Sequence, residues 1–293
     1  MATTDRAVPA PAGSEPAAPV DVLAPRARRE GRVARNLGTI AMVWQREMIR
    51  FFRMPSRIIT GLAQPLLFLF VLGAGIDPLV GGRTTGGVDY QEFIFPGVIA
   101  MSILFSSLFS AISIVWDREF GFLREMLVAP VSRTALVLGK AVGGGSIAVV
   151  QGLILLFAAP LVGVTLSPLE FVAMFGLLLL LAFALNAFGI VIASRMQRME
   201  GFQMVMTLVV NPMLFLSGAI FPTEGLPTWL TVLTRLNPVT YGVDPIRRVM
   251  LGDDAVPLTW GDWVVPIWLE VLIVFSLGTV MLAIAVQSFR KTE

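Results

Sequence analysis

The stretch FVAMFGLLLLLAFALNAFGIVIAS, residues 171–194, contains 24 residues without a charge and is bounded by Glu170 and Arg195. A helix needs about 20 mostly apolar residues to cross the hydrocarbon core of a bilayer. Five more uncharged stretches, of 19 to 29 residues, occur along the chain. The pattern predicts an all-α integral membrane protein, because a backbone inside lipid must satisfy its own hydrogen bonds. The six predicted transmembrane helices are residues 57–76, 93–116, 141–164, 169–193, 202–222 and 264–286.

The composition agrees with this class of protein. Of 293 residues, 56% are hydrophobic and 14% are charged, whereas soluble domains average about 45–50% and about 25%. The mean hydropathy is +0.79. These values exclude three classes of protein: a mainly disordered chain, a fibrous chain and a protein whose main surface binds nucleic acid. We therefore expect the lipid bilayer, and no nucleic acid, as a partner.

The sequence lacks several residue types and motifs on which enzymatic catalysis commonly depends. The chain has neither cysteine nor histidine, so a thiol nucleophile, a zinc–thiolate site and a histidine general base are excluded. The phosphate-loop motif G-x-x-x-x-G-K-[ST] is missing as well, so ATP hydrolysis through that motif is not expected. We predict no catalytic, cofactor-binding or metal-binding residue in this chain.

The distribution of basic residues predicts the orientation. An even number of spans places both termini on the same side. That side, with the connections near 117–140 and 194–201, carries 18 of the 22 basic residues and half of the 20 acidic ones. By the positive-inside rule both termini are therefore expected to be cytoplasmic, in a multi-pass protein of the plasma membrane.

The region before the first predicted span has two parts. Residues 1–36 are rich in Ala, Pro and Arg and lack the apolar core of a signal peptide, which predicts a disordered cytoplasmic tail. Residues 37–56 predict a basic amphipathic helix suited to the inner leaflet, with one acidic residue, Glu47, on its apolar side. Residues 57–293 are then the membrane domain. The helix residues singled out are Trp44, Arg46, Glu47, Arg50, Phe51 and Arg53.

Two connections between the predicted spans contain apolar patterns that are too long for simple turns. After the second span, Phe120, Leu123, Leu127 and Val131 recur at helical spacing among charged residues, which predicts a short cytoplasmic helix that inserts into a groove on a partner or grazes the membrane. Residues 221–262 contain two apolar pieces, near 226–236 and 239–251, that are too short to span. They predict a re-entrant helical hairpin between spans five and six, packed against protein.

Glu270 follows three tryptophans of the predicted outer interface, and we expect a structural role in which it snorkels outward.

Three segments resemble the ABC-2 type permeases of ATP-driven exporters. The first is WQREMIRFFRMP, residues 44–55, followed by Gln64-Pro65, and the second is REFGFLREMLVAP, residues 118–130. The third consists of Asn211-Pro212, Ser217-Gly218, Phe221-Pro222, Leu236-Asn237-Pro238 and Tyr241-Gly242. The resemblance covers the chain from about residue 37 to its end. The first segment looks closest to the drug-resistance branch, such as daunorubicin-resistance permeases, and less like the polysaccharide-exporting branch.

The resemblance implies an architecture and partners. Two six-helix subunits, expected to be a homodimer, would work with two separate ATPase subunits that bind ATP and magnesium. Residues 37–56 would form the connecting helix. The coupling helix on the ATPase would contain Arg118, Glu119, Phe120, Leu123, Arg124, Glu125, Leu127 and Pro130. The outer re-entrant segment would include Phe221, Pro222, Asn237, Pro238 and Tyr241.

The leading functional hypothesis is the membrane subunit of an exporter of hydrophobic or amphipathic, drug-like molecules. Export of a lipid or lipid-linked glycan by the same machine stays open. So do a membrane-embedded enzyme, which would depend on Asp253, Asp254 and Asp262, and a non-transporting scaffold or sensor. The residues proposed to line the translocation path are Phe68, Phe105, Phe109, Gln203 and Asn211.

Overall fold

The computed structural model describes residues 32–80, 89–121, 132–223, 225–252 and 255–291. Within these ranges the chain is almost entirely helical, with one two-stranded ribbon. The predicted all-α class is confirmed. The predicted tail lies outside the described residues except for residues 32–36, which are helical.

The helices are numbered here in chain order. The first five are α1 (Arg32–Phe52), α2 (Pro55–Leu67), α3 (Gly73–Val80), α4 (Tyr90–Ser110) and α5 (Ile112–Glu119), with a π-helical turn at Phe68–Leu72 between α2 and α3. The next three are α6 (Arg133–Leu156), α7 (Pro168–Arg195) and α8 (Met199–Phe215). The last three are α9 (Thr228–Leu236), α10 (Thr240–Leu251) and α11 (Ile267–Lys291), and the ribbon pairs β1 (Thr259–Trp260) with β2 (Trp263–Val264).

Five segments of the described chain are long and apolar enough to span a bilayer: Ile58–Ile76, Tyr90–Glu119, Arg133–Leu156, Pro168–Arg195 and Ile267–Phe289. They correspond to the first four and the last of the six predicted spans. The remaining prediction, 202–222, overlaps α8, which has 17 residues and is short of the usual spanning length of about 20. The count of six therefore stays a prediction.

Local sequence signals explain where two long helices begin. The Ser132 hydroxyl accepts a hydrogen bond from the Ala135 backbone at 3.1 Å and caps α6. Ser167 and Glu170 form a reciprocal capping box at the start of α7, with distances of 3.3 and 2.7 Å. Such caps satisfy backbone N–H groups that have no partner inside the helix.

The third span begins eight residues before the predicted boundary, at Arg133 rather than 141. The prediction treated Lys140 as the edge of the apolar stretch. Lys140 lies inside α6 instead, is buried, and forms an ion pair with Asp117 at 2.6 Å. A buried charge with a partner does not mark the end of a helix.

Helix α4 lies at the centre of the bundle, in contact with α6, α7 and α10. Most of its residues are buried. Close approach depends on glycines: a Cβ on Gly144 of α6 would meet the side chains of Asn186 and Ser110. The Asn186 amide donates to the Ser110 hydroxyl at 2.7 Å, which joins α7 to α4.

The two short helices α9 and α10 lie where the sequence predicts the outer hairpin. They differ in their surroundings. Helix α10 is buried against α4, α7 and α11, whereas Thr234 is the one residue of α9 that is fully buried. Helix α10 thus returns into the bundle, while its position relative to a bilayer stays a prediction.

Candidate functional site

Three consecutive residues at the end of α5, Asp117, Arg118 and Glu119, connect four other helices. Phe120 and Gly121 follow them. Residues 122–131 lie outside the described part of the chain and include five predicted coupling residues: Leu123, Arg124, Glu125, Leu127 and Pro130. We call Asp117, Arg118 and Glu119 the junction. It contains the first two residues of the predicted coupling helix.

Asp117 belongs to an ion cluster that joins three helices. Its carboxylate lies 2.6 Å from the Lys140 ammonium of α6, which also donates to Ser113 at 3.1 Å. Glu47 of α1 lies 3.8 Å from the same ammonium, and Arg46 lies 3.3 Å from Glu47 and 3.8 Å from Asp117. Glu47, Asp117 and Lys140 are all less than 9% exposed. We call Arg46, Glu47, Asp117 and Lys140 the three-helix cluster.

The predicted connecting helix is packed along the bundle rather than isolated on the membrane surface. Helix α1 runs beside the first half of α6 in the same direction, from the contact of Ser132 with Asn36 to that of Gly143 with Glu47. Its buried residues recur every four positions, at Thr39, Val43, Glu47 and Phe51. Glu47 is therefore part of the packed stripe, where Lys140 compensates its charge.

The other predicted residues of this helix lie around that stripe. The Trp44 indole donates to Ser146 of α6 at 3.1 Å, although its ring is partly exposed. Arg50 and Arg53 are exposed and point away from the packed side. This half-packed, half-basic arrangement fits a helix held by protein on one side and by anionic lipid on another.

Arg118 and Glu119 hold the connection between α7 and α8. The Arg118 guanidinium donates to the backbone oxygens of Ser194 and Met196 at 2.9 and 2.6 Å. Glu119 accepts from the Met199 backbone N–H at 3.0 Å. These contacts satisfy the last carbonyl groups of α7 and a first N–H group of α8. We call Arg118 and Glu119 the loop clamp.

The sequence did not predict these internal contacts, which occupy polar atoms of both side chains. Phe120, in contrast, is exposed and packs on Trp116, with ring centroids 5.1 Å apart.

A second ion cluster fastens α10 to α11. The Arg248 guanidinium forms an ion pair with Asp244 and donates to Glu270 at 2.9 Å and to the Val265 backbone at 2.7 Å. Asp244 also accepts from the Leu258 backbone N–H at 2.9 Å. The expectation that Glu270 snorkels outward is wrong: its side chain is fully buried, because Arg248 supplies a partner inside the bundle. We call Asp244, Arg248 and Glu270 the α10 cluster.

A buried arginine next to this cluster ties α10 to two more segments. Arg247 donates to the Gly218 backbone oxygen at 2.6 Å and lies 4.2 Å above the centre of the Phe93 ring. Burial lowers the pKa of Arg247 to about 10, so the side chain still carries its charge at neutral pH. The contacts hold α10 against α4 and the turn that follows α8.

The predicted outer residues fall into two groups. Asn237 and Tyr241 are buried and bonded: Asn237 donates to the Met213 oxygen at 2.6 Å, and the Tyr241 hydroxyl donates to the Arg235 oxygen at 2.7 Å. Phe221, Pro222 and Pro238 are only half-buried. The first group therefore links α8, α9 and α10.

The residues proposed for the translocation path do not form one surface. Phe105 and Phe109 stack with ring centroids 6.1 Å apart and line a cavity of about 210 Å³ with Thr60, Gln64, Ser106 and Gln151. Phe68 lies elsewhere, beside Leu72 and Met101. Gln203 and Asn211 are exposed on α8. Within the described part of the chain, no group of three or more acidic side chains is arranged to hold a metal ion.

The region that contains these contacts matches a known protein family. The profile of the family described as ABC-2 type transporter matches residues 39–251, from α1 through the end of α10. The chain belongs to the ABC-2 type transporter family. It is therefore a multi-pass membrane protein and a transport component without an ATPase domain of its own, from a family that works with an ABC ATPase subunit.

Curated relatives of this ABC-2 permease agree with the family. The putative transport permease ycf38 of Cyanophora paradoxa is 31% identical over 205 residues, covering 69% of this chain and 71% of the relative. Nodulation protein J of Rhizobium leguminosarum bv. trifolii is 31% identical over 258 residues, with 82% and 91% covered. Nodulation protein J of Rhizobium meliloti (strain 1021) is 32% identical over 220 residues, with 73% and 82% covered.

Proposed function

We propose that this ABC-2 permease is the transmembrane subunit of an ATP-driven exporter, coupled to its ATPase through residues 118–130. The observation that carries the proposal is the junction at the end of α5. Asp117, directly before the predicted coupling helix, and the first two residues of that helix, Arg118 and Glu119, make ion pairs or hydrogen bonds to α1, α6, α7 and α8. A displacement of that helix would reach all four helices within one residue of its start.

Two routes carry the displacement. Asp117 passes it to Lys140 and Arg46, which moves α6 and the connecting helix together. The loop clamp passes it to the end of α7 and the start of α8. The buried ion pair of Asp117 with Lys140 suits this task because it costs free energy to break. The hydrogen bonds of the loop clamp are charge-assisted and directional.

The partners follow from the same proposal. Two ATPase subunits bind ATP and magnesium, and two copies of this chain form a homodimer around the path. Both termini and the junction face the cytoplasm across the plasma membrane. Closure of the ATPase dimer then switches a central cavity from inward-facing to outward-facing.

The cargo is proposed to be an uncharged or weakly charged amphipathic molecule of the drug or antibiotic type. The cavity between α2, α4 and α6 supports this class. It combines two stacked phenylalanine rings with hydroxyl and amide groups, and none of the described residues that line it is charged. Flat apolar surface with a few hydrogen-bonding groups is typical of pockets for such ligands.

Substitutions in the coupling helix test the proposal. We expect Leu123→Ala, Arg124→Ala and Glu125→Ala each to reduce ATP-dependent transport in membrane vesicles, while the permease stays in the membrane. Normal transport in all three variants would contradict the coupling assignment.

The loop clamp gives an independent prediction. Arg118→Gln removes two hydrogen bonds from a cation, each worth about 1.5–3 kcal/mol. We expect the transport rate to fall at least about tenfold while ATP hydrolysis by the complex continues. The matched control is Arg195→Gln, because Arg195 is exposed at the end of α7. Equal transport by the two variants would show that the clamp plays no part in coupling.

A further inference from the structure

The amide of Gln151, in the spanning helix α6, makes no hydrogen bond within the described part of the chain. The residue is only 4% exposed, and it lines the cavity between α2, α4 and α6. Polar side chains inside a spanning helix usually have a partner, because burial without a hydrogen bond costs free energy. The Gln151 amide is therefore available to a molecule that enters this cavity.

The neighbouring helix α2 leaves room for this amide. A Cβ on Gly61 would lie 2.5 Å from the Gln151 Nε2 atom and 3.3 Å from its Oε1 atom. Any larger residue at position 61 would therefore displace the amide. The glycine lets α2 approach α6 at the height of Gln151 while the side chain keeps its present position.

The other lining groups give the cavity one polar end beside an aromatic wall. The rings of Phe105 and Phe109 stack with centroids 6.1 Å apart. The Thr60 hydroxyl already donates to the Ser56 backbone oxygen at 2.8 Å, and Gln64 is exposed. The volume of about 210 Å³ is below the roughly 300–1,000 Å³ of pockets for whole drug-sized ligands. The cavity thus fits one part of a cargo molecule.

We propose that Gln151 determines the specificity of this cavity by recognising a neutral cargo group with adjacent donor and acceptor atoms, such as a carboxamide or a lactam. A glutamine amide presents an acceptor oxygen beside two N–H donors, so such a group pairs with it through two hydrogen bonds. The phenylalanine rings contact an adjoining flat apolar part. The inference rests on the proposed cargo-binding role of the cavity and names the group that the cargo carries there.

Protection of an engineered thiol measures this recognition without ATP hydrolysis. Because the chain contains no cysteine, Thr60→Cys places a single thiol at an exposed position of the cavity lining. The complete transporter is reconstituted in liposomes without ATP and treated with methyl methanethiosulfonate, and mass spectrometry gives the modified fraction of the permease. Two flat probes of nearly equal shape compete with the reagent: 2-naphthamide, and 2-isopropenylnaphthalene, which lacks both hydrogen-bonding groups.

We expect 2-naphthamide to protect the thiol, and Gln151→Met to weaken that protection relative to the apolar probe by at least about fivefold, since two hydrogen bonds are lost. Comparing the two probes in each variant cancels their different partition into lipid. Gly61→Ala retains the amide but displaces it, and should reduce the preference in the same direction. The matched control is Gln287→Met, at an exposed position of α11, which should leave the preference unchanged.

The same preference between the probes before and after Gln151→Met would overturn the proposal. Protection by neither probe would also overturn it and leave Gln151 with a packing role alone. The assay separates this inference from the proposed function because it needs no ATP. ATP-dependent export that persists without an effect of Gln151 on recognition counts against the inference alone, whereas recognition without export counts against the proposed function.

Discussion

Replacing Lys140 by Met is expected to destabilise this permease by about 3 kcal/mol and to abolish most of its transport. Lys140 is the only cation of the three-helix cluster that is buried, and it lies within 4 Å of both Asp117 and Glu47. Without it, two buried carboxylates share the half-exposed Arg46. The thermal unfolding midpoint in mild detergent and ATP-dependent transport in vesicles measure the two effects.

Two further variants distinguish the lost ion pair from a general loss of charge. Arg50→Met removes an exposed cation from α1 and is expected to change stability by no more than about 0.5 kcal/mol. The double variant Lys140→Met with Asp117→Asn removes one of the stranded charges and is expected to recover part of the loss. A single Lys140→Met variant with a normal midpoint and normal transport would contradict the role of the three-helix cluster.

Replacing Arg248 by Met is expected to have a similar effect on stability at the other ion cluster. The change leaves Asp244 and Glu270 facing each other inside the protein without their shared partner. Removal of one member of a buried ion pair typically costs about 3–5 kcal/mol. The thermal unfolding midpoint should therefore fall by many degrees, because two buried carboxylates lose the cation that joins α10 to α11.

The matched control for Arg248 is Arg53→Met, which removes an exposed arginine. Arg248→Met combined with Glu270→Gln should lie between the single variant and the natural chain. If Arg248→Met unfolds at the same temperature as Arg53→Met, the α10 cluster does not hold the bundle together.

The spans could be predicted from sequence because bilayer thickness fixes how long an apolar stretch must be. The same reasoning misplaced the start of the third span. It treated every charge as a boundary, whereas Lys140 and Asp117 neutralise each other inside the bundle. One signal was present: both charges lie at the very edges of long apolar stretches, where a partner on a neighbouring helix allows burial.

The contacts of the junction could not be predicted, because they join residues far apart in the chain. Arg118 binds the oxygens of Ser194 and Met196, more than 70 positions away. A helical pattern shows that the residues near 118 carry both charges and apolar side chains, but not which of them face the protein. The residues that line the translocation path could not be predicted for the same reason. Gln203 and Asn211 lie on one helix, α8, but neither lines the cavity beside Phe105.

Purification of the tagged permease in mild detergent, followed by a measurement of ATP hydrolysis, tests the central claim most directly. The account predicts that a separate ATPase subunit with a phosphate-loop motif copurifies and that the complex hydrolyses ATP. It further predicts that Arg124→Ala and Glu125→Ala weaken this association or uncouple hydrolysis from transport. A folded chain that is recovered alone, without ATPase activity under conditions that preserve its native state, would contradict the account.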